Sequence, residues 1–129
     1  MPLRLATILL IAFPLAACAS DTESARERAV SWSKTVEMIA DQWDRGSIPT
    51  HYAQHAMGSA SDAVHEALGA MRDEAAGQDD QAAGQLDSIA ALSAAVDAAA
   101  AALAREDRQK TLPAAKEVHS AAARLAGSQ

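Results

Sequence analysis

Residues 29–43 read Ala29-Val-Ser-Trp32-Ser-Lys-Thr-Val36-Glu-Met-Ile39-Ala-Asp-Gln-Trp43. Ala29, Trp32, Val36, Ile39 and Trp43 recur at steps of three, four, three and four. Those steps draw one stripe along an α-helix, whereas a strand would scatter them over both faces. Arg28, Lys34, Glu37 and Asp41 fall away from the stripe. The segment therefore predicts an amphipathic helix over about residues 22–45. Ser20/Glu23 and Ser24/Glu27 stand at capping-box spacing near its start. Gly46 ends it, and Pro49 keeps it from resuming at once.

The same spacing returns downstream. Ala53, Met57, Ala60, Val64, Ala67 and Met71 predict a second helix over about residues 50–76, closed by Gly77. Gln78, Asp79 and Asp80 read as a polar turn in which either aspartate caps the next helix. Ala82, Leu86, Ile89, Ser93, Val96, Ala100 and Leu103 predict a third helix over about residues 81–106. Ser93 is the polar member of that row, and its hydroxyl is expected to bond back to a carbonyl one turn earlier. Asp107–Lys110 reads as a charged turn, with Thr111 and Pro113 marking a fourth helix start. Ala115, Val118, Ala122 and Leu125 form the last stripe before Gly127.

Short connections favour antiparallel neighbours, so the expected fold is all-α, an up-down-up-down four-helix bundle with a shorter fourth helix. At 1.5 Å per residue the first three helices should be roughly 36–40 Å long and the fourth only about 22 Å. A fourth helix that short would leave an apolar groove between the first and third helices, able to accept a partner helix. Alternatively, the small alanine side chains let the three long helices close up there.

Composition agrees with helices and restricts function. Half of the residues are apolar, mostly alanine, the residue that loses no side-chain entropy in a helix. The aromatic residues are Phe13, Trp32, Trp43 and Tyr52, too few for a typical sheet core. Seventeen acidic side chains face eleven basic ones, a formal net charge of −6. That sign argues against binding nucleic acid or an anionic lipid surface by bulk electrostatics.

The N-terminus carries a different message. Arg4 precedes an apolar run from Leu5 to Leu15, broken by Thr7 and Pro14, and Leu15-Ala16-Ala17-Cys18 follows. A basic start, an apolar stretch of roughly 7–15 residues and small residues at the cut describe a secretory signal. The run is shorter than the roughly 20 residues that cross a bilayer. Leu15–Cys18 resembles the lipobox of bacterial lipoproteins. The resemblance implies cleavage before Cys18 and a diacylglyceryl thioether on it, usually with an amide-linked acyl chain. It divides the chain into a signal peptide (1–17), a lipidated tether (18–21) and a helical domain (22–129). Ala19 does not match the aspartate that often retains such proteins in the inner membrane, so the resemblance implies the outer membrane, periplasmic face. With Cys18, the lone cysteine, lipidated, no thiol remains for a disulfide or a metal.

Few residues promise chemistry. His51 and His55 lie one turn apart on the second helix and are the expected metal-binding pair. They and His65 are expected to face solvent, and His65 lies about 15 Å further along the axis from His55. Histidine also carries the possibility of a pH switch. Periplasmic four-helix cytochromes hold haem between a histidine and often a methionine. His119 and Met38 invite that comparison, but both fall off their stripes and no Cys-x-x-Cys-His is present. Phosphate-binding glycine loops and Gly-x-Ser-x-Gly elbows are missing too. The Asp73-Glu74 and Asp79-Asp80 pairs read as surface and cap.

Trp32 and Trp43 are the expected anchors, of the core or of a protein partner in the envelope. Tyr52 is expected near Trp43. The sequence thus predicts a non-enzymatic lipoprotein without a cofactor, an interaction or envelope-structural module. The competing expectation is a metal- or cofactor-carrying bundle using His51 and His55. Oligomeric state is left open.

Overall fold

The computed structural model describes residues 21–75 and 80–127. Four helices account for nearly all of them: α1 (Asp21–Asp44), α2 (Thr50–Ala75), α3 (Asp80–Ala104) and α4 (Arg108–Gly127). There is no strand among the described residues. Cys18, Gly77, Gln78 and Asp79, each assigned a role from sequence, lie outside the described residues.

The helices form a four-membered ring in cross-section: α1 and α3 each pack against α2 and α4 and touch each other only lightly across the middle. The core follows the stripes. Val36, Ile39 and Trp43 from α1 meet Met57, Val64 and Met71 from α2, Ile89, Val96 and Leu103 from α3, and Val118 and Leu125 from α4. Burying one such side chain contributes about 1.5–3 kcal/mol. Between them sit Ala25, Ala29, Ala40, Ala53, Ala60, Ala99 and Ala122, whose size lets helix backbones approach closely. Leu92, Ala99 and Ala102 are also buried, although the expected stripe of α3 omitted them. α3 is apolar on nearly every side; by length and composition alone Ala83–Ala104 would suffice to cross a membrane. Its periodicity therefore says little about which face is inside.

Two connections are built alike. After α1, the Ser47 N–H donates to the Gln42 carbonyl at 2.8 Å and the Gly46 N–H to the Trp43 carbonyl at 3.0 Å. This is a Schellman closure, which needs a left-handed residue; Gly46 supplies it at φ 73°. After α3, the Asp107 N–H reaches the Ala102 carbonyl and the Glu106 N–H the Leu103 carbonyl, both at 2.9 Å. Here the left-handed residue is Glu106, at φ 54°.

Asp107 then caps α4 at once, accepting the Lys110 N–H on its side chain at 3.1 Å. The expected turn over Asp107–Lys110 is thus the first turn of α4 itself, and Pro113 lies inside the helix. The Thr111 hydroxyl steadies that turn by donating to the Asp107 carbonyl at 2.7 Å. With 20 residues, α4 is about 30 Å long rather than about 22 Å. Its Ala126 lines a shallow hollow together with Glu23 and Val30 from the first half of α1. The groove expected between α1 and α3 therefore does not follow, because α4 runs alongside both helices.

Cross-links join the helix ends. The Thr22 N–H at the start of α1 donates to Glu74 Oε2 near the end of α2, at 2.7 Å. Gln54 Nε2 near the start of α2 donates to the Leu103 carbonyl at the end of α3, at 3.2 Å. Arg108 at the start of α4 donates to the Asp44 carbonyl at the end of α1, at 2.7 Å.

Candidate functional site

A concave surface with a largely apolar floor lies between α1 and α4. It is an open groove of about 560 Å³, floored by Ala40, Leu112 and Ala115. Glu37 and Asp41 form one wall, and Lys116, His119 and Ser120 the other. The helical repeat places Glu37 and Asp41 one turn apart on α1, and Lys116, His119 and Ser120 within about a turn on α4. His119 Nδ1 lies 2.7 Å from Glu37 Oε1 and closes the groove on one side. Asp41 is 3.2 Å from Arg45, one turn on. An apolar floor between an acidic and a basic wall suits an amphipathic segment better than a small polar metabolite.

A second cluster bridges α2 and α3. Asp97 Oδ1 accepts a hydrogen bond from the Ser61 hydroxyl at 2.7 Å. His65 Nε2 stands 2.9 and 2.8 Å from the two Asp97 oxygens. On its other side, His65 Nδ1 faces the Ser93 hydroxyl at 3.5 Å. With a proton on Nε2, the ring donates to Asp97 and accepts from Ser93. The spatial order is serine, histidine, aspartate, but Ser93 is only 3 % exposed. It also sits mid-helix, where backbone N–H groups are committed to helical bonds and none is left for an oxyanion. The cluster satisfies a core hydroxyl and ties two helices together. Ser93 was expected to bond within its own helix; its partner is instead a ring on α2.

His51 and His55 are both exposed on α2. Among the described residues no group of three or more His, Cys, Asp or Glu side chains is placed to hold a metal ion. His65 is half exposed, yet it belongs to the seam with α3 rather than to a purely solvent-facing row.

Trp43 is buried. Its Nε1–H donates to the Thr50 hydroxyl at 3.0 Å, and Arg108 lies over its ring. No free face of Trp43 remains for a partner; Trp32, half-buried at the edge of the core, keeps one. Tyr52 is 60 % exposed, and the side chain over the Trp43 ring is Arg108. Met38 is exposed and His119 is held by Glu37, so neither lines the interior as a haem ligand would.

The pairs Glu37–His119 and His65–Asp97 escaped the sequence reading. Each joins residues on the flanks of two different stripes, so its signal exists only once helix neighbours are known. No protein-family model matches the chain, nor does any curated protein or solved structure.

Proposed function

We propose that the chain is a lipid-anchored periplasmic lipoprotein, an antiparallel up-down-up-down bundle serving as a non-enzymatic interaction or envelope-structural module. One observation carries the reading. Leu15-Ala16-Ala17-Cys18 ends three residues before Asp21, where α1 begins. Cleavage before Cys18 would remove Arg4 and make the charge balance one unit more negative. A diacylglyceryl group with a further acyl chain anchors stably, since each buried methylene contributes about 0.8 kcal/mol. A tether that short would hold the Thr22–Glu74 end of the bundle close to the bilayer. The groove between α1 and α4 would then run away from the membrane, open to an envelope protein with an amphipathic segment.

Labelled palmitate tests the anchor. The chain should incorporate it and fractionate with outer membranes, and Cys18→Ser should abolish both. Incorporation without Cys18, or unchanged fractionation of Cys18→Ser, ends the proposal.

A further inference from the structure

Unlike its neighbours, α3 is apolar on its outer side too. Ala91, Ala94, Ala98 and Ala101 are all exposed. At 100° per residue they lie within about 40° of one line along the helix. Asp87 and Arg105 stand at the two ends of that line, eighteen residues or about five full turns apart. Arg105 still follows the helical path, its N–H donating to the Ala101 carbonyl at 3.2 Å. Both charges are exposed, and neither has a side-chain partner among the described residues. Asp97, the other charged residue between them, is drawn aside to α2 by Ser61 and His65. The outer face is thus neutral and flat, acidic at one end and basic at the other.

Four alanines alone name no partner; the two charges do. Turned about a twofold axis level with position 96, the face complements itself. Ala94 then meets the second copy's Ala98, Ala91 meets its Ala101, and Asp87 meets its Arg105, each pair occurring twice. A parallel arrangement in register would instead set aspartate on aspartate and arginine on arginine. Alanine at every central position allows the axes to approach to about 8 Å.

We propose that the outer face of α3 is a homodimer interface, with two copies packed antiparallel through Ala91–Ala101 and locked by reciprocal Asp87–Arg105 pairs. The surface is separate from the groove between α1 and α4 and does not depend on the lipid anchor. Antiparallel packing sets the lipid-bearing ends of the two copies at opposite ends of the dimer, so the dimer joins copies that do not stand side by side on one bilayer.

The test is sedimentation velocity of the full chain in detergent over a range of concentrations. Circular dichroism confirms that each variant is folded, as expected for exposed positions. The native chain should show a concentration-dependent dimer. Asp87→Arg or Arg105→Asp should weaken it roughly tenfold, because two exposed pairs become repulsive. Combining the two should restore it, and Ala94→Glu should abolish it. A monomer at every concentration overturns the proposal. So does a dimer indifferent to Ala94→Glu, or a charge swap no better than the single reversals.

Discussion

The guanidinium of Arg108 lies 4.8 Å from the centre of the Trp43 ring. It also donates to the Asp44 carbonyl at 2.7 Å and stands 3.7 Å from the Asp44 carboxylate. One side chain therefore covers the largest core residue and caps the C-terminus of α1, whose own last turn carries no basic residue. A cation there also complements the helix dipole.

Arg108→Ala should lower stability by about 1–2 kcal/mol, combining a lost cation–π contact with a lost charged hydrogen bond. Urea denaturation measures it. In a Trp32→Phe background, the emission of Trp43 should move to the red as water reaches the ring. Arg108→Lys should recover less than half of the loss, since an ammonium lacks the planar fork that stacks and donates together. An unchanged midpoint for Arg108→Ala would show that the stacked geometry contributes nothing.

Glu106 holds a left-handed conformation at φ 54°, the role that Gly46 fills at φ 73° after α1. A residue with a Cβ is disfavoured there by roughly 1–2 kcal/mol, while glycine is not. Glu106→Gly is therefore expected to stabilise the protein by about 0.5–1 kcal/mol, even though glycine usually weakens a chain. Gly46→Ala should cost about 1 kcal/mol. No atom lies within 4 Å of a Cβ built on Gly46, so that loss would come from the backbone alone. Thermal melts of both variants decide the matter; a Glu106→Gly variant that melts lower contradicts the argument.

How far the fold could be read depended on how cleanly each helix segregates its residues. In α2 every residue of the expected stripe, from Ala53 to Met71, is buried, because polar residues fill the opposite side. In α3 the apolar side chains nearly encircle the helix, so Leu92 and Ala102 were missed as core. The start of α4 was misread because Asp107 closes one helix and opens the next within a single residue. Pro113 reinforced that misreading by standing near a helix start without marking it. As for the candidate site, the sequence shows the i,i+4 pair His51/His55 but not Glu37–His119, which depends on α1 and α4 being neighbours.

Glu74 is the residue through which α2 secures the start of α1. Its carboxylate accepts the Thr22 N–H at 2.7 Å, one of the four N–H groups that a helix start leaves without an internal partner. The negative charge also complements the positive end of the α1 dipole. Glu74→Ala should cost about 1 kcal/mol, the usual loss for a cap. Amide exchange should accelerate in the first turn of α1 and stay unchanged near Trp43. Uniform acceleration along α1 would mean that the cap does not act locally.

The His65–Asp97 pair should stabilise the fold modestly. Its side chains are 51 % and 45 % exposed, so water and salt screen the attraction even at 2.8 Å. A double-mutant cycle of His65→Ala and Asp97→Ala is expected to give a coupling of about 0.5 kcal/mol, falling in molar salt. Each single variant also strands a hydroxyl, Asp97→Ala that of Ser61 and His65→Ala that of the buried Ser93, which is why the cycle rather than either single loss isolates the pair. Ser93, buried behind His65, should not react with a phosphonate serine probe. Labelling that is lost in Ser93→Ala and in His65→Ala would overturn this reading and make the cluster a nucleophilic site. The absence of labelling, together with a salt-sensitive coupling, would establish it as a clasp between α2 and α3.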